Sequence, residues 1–365
     1  MQPSPIGWRV DELDTPALLL DLEAFEHNVA LMAGHFRDRG VAWRPHAKAF
    51  KCPAIAHVLK KAGAIGVTVA KVSEAEVMAA GGIDNILIAH LVVGPSKAAR
   101  LAALQHRAEV LVTVDHVDHL ATLGQAARDA GVVIGVLIDV DLGMRRCGVS
   151  SPEAAVRLAS RVTETPGLFF QGIMGYEGST LLIPDPTEKK NAILEAIGKL
   201  NLAREAVKAA GFECRIVSAG GTGSYQITSD IPGVTEIQAG GGVFACRYYT
   251  ELCKIKGHKP ALAVRATVVS RPYPNRAILD IGQKSISEYR TPPVLVNVPD
   301  ARVIGLSAEH ATVEVPENSA LKIGNKVSVI PGYSDFTFVL HDRIIAHRHG
   351  RVESVWELLG RGKLQ

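Results

Sequence analysis

A nine-residue stretch, WRPHAKAFK, places an arginine, a histidine and two lysines where a short apolar run ends. These residues are Arg44, His46, Lys48 and Lys51. A lysine at the end of a strand can be a covalent catalyst that attacks a carbonyl group. Motif position and the expected strand-end geometry favour Lys48 over Lys51 in that role. Arg44 and His46 would then hold its surroundings, and Lys51 is expected to face solvent or to form an ion pair.

Polar residues also follow other apolar runs, where a plain structural scaffold would not need them. Asp139, Asp141, Arg145 and Arg146 surround the end of one run, and Tyr176 and Glu177 follow the next. Two later runs lead into glycine-rich loops, which let backbone amides approach a phosphate closely. The candidate residues of these loops are Ser218, Gly220, Gly221, Thr222, Gly223 and Ser224 in the first, and Gln238, Gly240 and Gly241 in the second.

Together these groups match the needs of pyridoxal 5'-phosphate. The lysine would form the imine, the glycine loops would hold the phosphate, and an arginine or tyrosine could hydrogen-bond the ring. Each part has a plainer interpretation, since glycines make turns and lysines lie on surfaces. Two glycine-rich loops at the expected phosphate position, with the other groups around them, favour the cofactor site.

Short β-branched runs alternate with segments rich in Ala, Leu, Glu and Lys, which is typical of repeated βα units. Eight such units over about two hundred residues predict a (β/α)8 barrel rather than an open doubly wound sheet. The predicted strands are Val41 to Arg44, Gly66 to Ala70, Asn85 to Ala89, Glu109 to Val114, Val132 to Val140, Leu168 to Gly175, Arg215 to Ser218 and Val234 to Ala239.

The character of the sequence changes after about residue 255, where short strand-like runs are separated by Pro, Gly and Asn turns. The predicted fold is therefore a TIM barrel followed by an all-β domain. Residues 1–35 form an N-terminal strand and helix, and the strand is expected to join the β domain. Residues 36–253 form the barrel, and residues 254–365 form the C-terminal β domain.

Composition excludes several classes of function. The net charge of +3 and the dispersed basic residues argue against nucleic-acid binding. No signal peptide and no bilayer-spanning apolar run is evident, so a cytoplasmic location is expected. The five cysteines show no CxxC spacing, which indicates neither a disulfide framework nor a zinc cluster.

Six blocks in one order resemble the D-threonine aldolase and D-serine dehydratase family, pyridoxal phosphate enzymes of the alanine racemase fold type. The blocks are RPHAKAFK (44–51), KVSEAEVMAAGGI (71–83), RCGV (146–149), GYEGS (175–179), SAGGTGSY (218–225) and EIQAG (236–240). The resemblance implies that Lys48 is the Schiff-base lysine and that the loop from Gly220 to Ser224 clamps the phosphate. It also implies Arg146 near the phenolic oxygen of the cofactor, Tyr176 at its ring, and a homodimer in which the β domain of one chain helps to close the active site of the other.

The chain departs from the family pattern at the two metal-ligand positions. The family holds a divalent ion, manganese or magnesium, on an HxD or HxC pair, and here Tyr333 and Asp335 stand at those two positions. A neutral tyrosine is a poor ligand compared with imidazole, so the sequence leaves metal dependence open. His310 matches a Glu-His block of the family and is a further candidate for the site, with Asp335 as a possible neighbour.

These residues predict a lyase that cleaves 3-hydroxy-D-amino acids, of the D-threonine or 3-hydroxy-D-aspartate type, into glycine and an aldehyde or oxo acid. Two alternatives remain open at this point. A metal-independent racemase or epimerase would use Lys48 and Tyr333 as its two bases, and a dehydratase would eliminate the 3-hydroxyl group with a metal. A non-catalytic carrier of the cofactor is disfavoured, because the chain has about a hundred residues of β domain that such carriers lack.

Overall fold

The computed structural model describes residues 4–365, which divide into two compact units. The barrel unit comprises residues 33–48, 53–240 and 362–365, and the sheet unit comprises residues 4–32, 49–52 and 241–361. Among the described residues, no helix is long and apolar enough to cross a bilayer.

The strands follow one another along the chain as β1 Ala17–Asp21, β2 Ala42–Trp43, β3 Val67–Val69, β4 Asn85–Leu91, β5 Glu109–Val114, β6 Ile134–Val140, β7 Leu168–Gly175, β8 Ile216–Ala219, β9 Glu236–Ile237, β10 Leu262–Tyr273, β11 Arg276–Leu279, β12 Val294–Leu295, β13 Arg302–Leu306, β14 Ala311–Glu314, β15 Lys326–Ile330, β16 Arg343–Arg348 and β17 Arg351–Glu357. The helices are α1 Leu22–Arg39, α2 Pro53–Lys61, α3 Val72–Ala80, α4 Pro95–Leu104, α5 Asp118–Asp129, α6 Pro152–Glu164, α7 Pro186–Ala209, α8 Tyr225–Thr228 and α9 Ser334–Phe338.

The barrel unit is built on a parallel eight-stranded sheet in the order β2-β9-β8-β7-β6-β5-β4-β3. A parallel bridge between His46 and Thr68 joins the end of β2 to β3 and closes the sheet into a barrel. The expected (β/α)8 architecture is therefore confirmed. Local sequence signals also mark where its helices begin. Ser151 caps α6 by accepting a hydrogen bond from the Ala154 amide at 3.2 Å, and Pro152 occupies the first helical position.

The sheet unit contains β1 and β10 to β17 in one sheet, whose main path is β13-β14-β11-β10-β1-β16-β17. Strand β1 runs antiparallel to β10 and parallel to β16, so the first strand of the chain pairs with strands near its other end. Leu13, Ala17 and Leu19 pack there against Ile345 and Val352 in a buried cluster.

The unit boundary lies at Gly241, earlier than the expected boundary after residue 253. The reason is backbone and ring contact with the sheet unit. The Ala261 amide donates to the Phe244 carbonyl at 2.9 Å, and the Tyr248 amide donates to the Gly332 carbonyl at 2.9 Å. The Phe244 ring also packs against Phe338, with centroids 4.7 Å apart. These contacts assign residues 241–253 to the sheet unit.

Candidate active site

Lys48 lies in a short 3-10 turn, Ala47–Ala49, directly after the end of β2. The turn is oriented by His46, whose ring nitrogen Nδ1 accepts a hydrogen bond from the Lys48 amide at 3.3 Å. The Lys48 side chain is exposed, and its Nζ lies 5.9 Å from the centroid of the Tyr176 ring. The carboxyl ends of β2 and β7 thus bring a lysine and an aromatic ring together.

Tyr176 packs against two glycines that leave room for its ring. A Cβ atom on Gly221 would lie 2.9 Å from the ring carbon Cε2, and one on Gly178 would lie 2.5 Å from Cε1. Any side chain at either position would therefore displace the ring. The pairing sets Tyr176 beside the glycine turn after β8.

That turn, Gly220 to Ser224, is anchored by a fully buried glutamate, Glu177. Glu177 accepts a hydrogen bond from the Gly220 amide at 3.2 Å and another from the Thr228 hydroxyl. Gly220 has φ of +74°, which a glycine adopts without strain. The Ser224 amide donates to the Gly221 carbonyl at 3.1 Å, and α8 begins at the next residue. The turn also contains Thr222 and Gly223, both buried.

Ser218 and Gln238 meet at the carboxyl ends of the neighbouring strands β8 and β9. Both are buried, and the Gln238 side-chain amide donates to the Ser218 hydroxyl at 2.9 Å. Gly240 follows, where a Cβ would lie 2.4 Å from the His46 carbonyl oxygen, so glycine permits the backbones after β9 and β2 to approach. Gly241, the last glycine expected in this group, lies in the sheet unit, where a Cβ would meet the Tyr249 ring, and its role in cofactor binding stays a prediction.

Arg146 is exposed in the loop between β6 and α6, and two aspartates shape that loop. Asp141 accepts hydrogen bonds from the Gly143 amide at 2.9 Å and the Arg145 amide at 3.0 Å. Asp115, at the end of β5, accepts from the Gly148 amide at 2.9 Å. These contacts fix the backbone on both sides of Arg146.

Asp139, on β6, is a carboxyl group whose pKa is shifted by its surroundings near this loop. Its pKa is raised to about 7, mainly by burial and then by the nearby Asp115 and Asp141 carboxylates, with the Arg146 guanidinium opposing them. The neutral acid is thus favoured in the folded protein below about pH 7. Since the folded protein binds more protons than the unfolded chain between about pH 4 and pH 7, this group lowers stability as the pH rises through that window.

We expect Asp139→Asn to be more stable than the wild type, by a clearly larger margin at pH 8 than at pH 5. The amide cannot ionise, so it avoids a cost that builds up from about pH 4 and reaches about 4 kcal/mol above the raised pKa of the carboxylate. Urea unfolding followed by circular dichroism at both pH values measures the difference. Asp118→Asn, at an exposed aspartate, is the control. An equal gain at pH 5 and pH 8 would contradict the titration of Asp139.

Arg44 forms a buried ion pair that the sequence did not reveal. It is 2% exposed, and its guanidinium forms a paired contact with Glu236, also 2% exposed, with Nε to Oε2 and Nη2 to Oε2 distances of 3.0 Å. A third contact reaches the Asn85 side chain. Arg44 therefore ties β2 to β9 and β4 inside the barrel unit. Lys51 is 9% exposed and belongs to the sheet unit, so of its two expected settings the solvent-facing one is wrong, while the ion pair stays a prediction.

The remaining candidates lie in the sheet unit. Tyr333 and Asp335 stand at the start of α9, where the Tyr333 hydroxyl donates to Oδ2 of Asp335 at 2.8 Å. The Tyr249 hydroxyl, which sequence analysis missed, donates to Oδ1 at 3.4 Å. His310 is exposed in the turn between β13 and β14, a different element from this cluster.

The residues of the barrel unit fit the cofactor that the sequence resemblance implies, pyridoxal 5'-phosphate. A lysine amine lies over the face of an aromatic ring, and the ring abuts a glycine turn that a Cβ would fill. The turn is anchored by a buried glutamate, and Ser218 and Gln238 add polar groups beside it. The implied metal does not fit in the same way. Both carboxylate oxygens of Asp335 accept hydrogen bonds from hydroxyl groups, and a neutral phenol stands at the place of the second ligand.

Residues that sequence analysis missed share one property: their partners are distant in the chain. Glu236 meets Arg44 across 192 positions, and Tyr249 meets Asp335 across 86. A signal did exist for Glu236, which is a charged residue inside an apolar predicted strand and therefore needs a buried partner.

Comparison with known proteins gives one consistent result. Residues 20–247 match the family model of the alanine racemase N-terminal domain, and residues 261–347 match that of a putative serine dehydratase domain. The chain is 37% identical to a D-threonine aldolase from an Arthrobacter species, over 99% of this chain and 96% of that one. It is 34% identical to a 3-hydroxy-D-aspartate aldolase from Paracoccus denitrificans, over 99% and 95%.

A solved structure, that of a D-threonine aldolase from Filomicrobium marinum, superposes with a TM-score of 0.97 at 36% identity and covers 100% of both chains. Sequence and fold therefore agree over the whole length. The protein belongs to the family of the D-threonine and 3-hydroxy-D-aspartate aldolases, which has the alanine racemase fold.

Proposed function

We propose that the protein is a pyridoxal-phosphate-dependent lyase that cleaves 3-hydroxy-D-amino acids into glycine and an aldehyde or oxo acid. The observation that carries this proposal is the grouping of Lys48, Tyr176 and the Gly220 to Ser224 turn at the carboxyl ends of the barrel strands. Full-length similarity to two aldolases supports the reaction type. When bound, the cofactor supplies an electron sink for the bond that breaks at Cα.

Each candidate site residue of the barrel unit has a proposed role. Lys48 holds the cofactor covalently, and the His46 ring orients the turn that carries Lys48. Tyr176 would cover the cofactor ring, and backbone amides of the turn from Gly220 to Ser224 would hold its phosphate. Arg146 would bind near the phenolic oxygen, while Ser218 and Gln238 would add hydrogen bonds.

The reaction itself needs two proton movements. The substrate 3-hydroxyl loses a proton as its carbon becomes a carbonyl and the Cα–Cβ bond breaks, and Cα then gains a proton to give glycine. Tyr333 is a proposed acid–base group, since its hydroxyl is held on a carboxylate. The exposed turn position of His310 gives no support to a catalytic role for that residue.

Basic groups at the barrel rim favour substrates with a second carboxylate. Lys71, at the start of α3, has its Nζ 3.2 Å from Nε2 of His90 on β4. Burial lowers the pKa of His90, and the Lys71 and Arg146 charges lower it further. The positive charges of Lys71 and Arg146, beside the neutral His90 imidazole, would attract an anion. We therefore propose 3-hydroxy-D-aspartate as a better substrate than D-threonine.

A product experiment tests the reaction. The protein, loaded with pyridoxal phosphate, is incubated in deuterated buffer with D-threonine, with 3-hydroxy-D-aspartate and, as a control, with L-threonine, and proton NMR follows the products. We expect glycine with acetaldehyde from D-threonine, and glycine with glyoxylate from 3-hydroxy-D-aspartate. Deuterium exchange at Cα without glycine would indicate a racemase, and ammonia with an oxo acid would indicate a dehydratase; either result would reject the proposed lyase.

The assembly is part of the same proposal. The resemblance implies a homodimer, and light scattering coupled to gel filtration measures the mass directly. A cytoplasmic location stays a prediction from composition.

A further inference from the structure

Asp335 lies at the centre of a cluster of hydroxyl groups in the sheet unit. It is 5% exposed. Its Oδ2 accepts the Tyr333 hydroxyl at 2.8 Å, and its Oδ1 accepts the Ser334 hydroxyl at 3.2 Å and the Tyr249 hydroxyl at 3.4 Å. Both oxygens of the carboxylate are therefore engaged by hydroxyl donors of the chain itself.

The direction of these bonds follows from the chemistry of the groups. An ionised carboxylate can accept but cannot donate, so each contact requires a proton on the hydroxyl oxygen. Burial raises the pKa of Tyr249 well above its ordinary value, and the Asp335 carboxylate raises it further. The Tyr249 hydroxyl is therefore a donor to this carboxylate. The Tyr333 hydroxyl, with the shortest contact, places its proton between phenol and carboxylate.

A divalent cation at Asp335 would have to break this arrangement. Magnesium and manganese bind ionised carboxylates and keep several waters, whereas a phenol binds them well only after it loses its proton. The rings of Tyr248, Tyr289 and Phe336 pack around Tyr333 at centroid distances of 5.0, 5.4 and 5.0 Å, which fixes the phenol where it is. Within residues 4–365, no group of three His, Cys, Asp or Glu side chains could hold a metal ion.

We infer that the Tyr333, Asp335 and Tyr249 cluster holds a proton in place of a divalent cation, and that the proposed lyase reaction proceeds without a bound metal. The statement that the cluster holds a proton depends on the geometry of the cluster alone. The statement that the reaction proceeds without a metal rests on the proposed function. Tyr333 is then the residue that decides between the two kinds of site, because imidazole at its position would supply a metal ligand beside the carboxylate.

Manganese binding tests the first statement without any activity measurement. Chelator-treated protein loaded with pyridoxal phosphate is titrated with MnCl2, and electron paramagnetic resonance counts the free ion. We expect no stoichiometric binding by the wild type and about one ion per chain for Tyr333→His. Tyr289→His, a change of the same kind in the neighbouring ring, is the matched control and should bind none. One ion per chain in the wild type, lost in Asp335→Asn, would overturn the inference, as would failure of Tyr333→His to bind.

Activity tests the second statement. The chelated wild type should keep its rate within about twofold when MnCl2 or MgCl2 is added, whereas a rate that is lost on chelation and restored by either ion would overturn the inference. Tyr333→Phe keeps the ring and removes the proton, so its kcat should fall at least about tenfold. Its visible absorption should show that the cofactor is still bound, and a kcat equal to that of the wild type would reject the proton-holding role. If no protein in the series cleaves either substrate, the proposed function fails while the manganese titration still decides the cluster.

Discussion

Lys48→Ala should abolish the visible absorption band of lysine-bound cofactor and lower kcat/KM at least about 10³-fold. The reason is the loss of a covalent attachment point together with a proton-transfer group, each of which contributes factors of this size. Borohydride reduction of the wild type, followed by peptide mass spectrometry, should find the cofactor mass on the peptide that contains Lys48. The same treatment of the variant should find none.

The matched control is Lys51→Ala, which removes the other lysine of the stretch. The structure places Lys51 in the sheet unit with its side chain buried, whereas Lys48 is exposed over the Tyr176 ring. Lys51→Ala should therefore retain the absorption band. A band that survives in Lys48→Ala and vanishes in Lys51→Ala would reverse the assignment.

Glu236→Ala should lower the free energy of unfolding by about 3–5 kcal/mol, because it leaves the buried Arg44 guanidinium without its counter-charge. Both side chains are 3% exposed and their closest contacts measure 3.0 Å. Replacing both partners, as in Arg44→Met with Glu236→Leu, should recover most of the loss, since two apolar groups leave no unpaired charge. Urea unfolding at pH 7 measures each variant.

An exposed ion pair of the same chemistry supplies the comparison. Arg215 and Glu213 lie 2.8 Å apart, with side chains 54% and 71% exposed, so solvent screens their attraction. Glu213→Ala should cost less than about 1 kcal/mol. If Glu236→Ala costs no more than Glu213→Ala, the buried pair does not stabilise the closed barrel.

The periodicity of the sequence predicted the eight barrel strands well because most of them are buried, β-branched runs. Strands β5 and β7 have the bounds expected for them. The first and last are shorter than expected, Ala42–Trp43 and Glu236–Ile237. Proline at position 45 has no amide proton for a ladder, and past the ends of β2 and β9 the two backbones remain joined by the hydrogen bond from the His46 amide to the Gln238 carbonyl at 2.9 Å.

Side-chain partners were much harder to predict than strands. Arg44 was expected among the groups around Lys48, yet its partner is a carboxylate of the last barrel strand. A raised pKa at Asp139 depends on burial and on Asp115, which follows another strand, β5. Local patterns report periodicity and turn chemistry, whereas these properties arise from contacts made across the barrel.

The pairing of β1 with β10 and β16 has a consequence during protein synthesis. Leu20 lies opposite Leu262, and Leu19 lies opposite Ile345. Since chains are made from the N-terminus, the Leu18–Leu20 run leaves the ribosome long before either partner strand exists. In the interval, its apolar side chains and open hydrogen-bonding edges are exposed to other chains. This short segment is therefore open to pairing with other chains until β10 and β16 have been made.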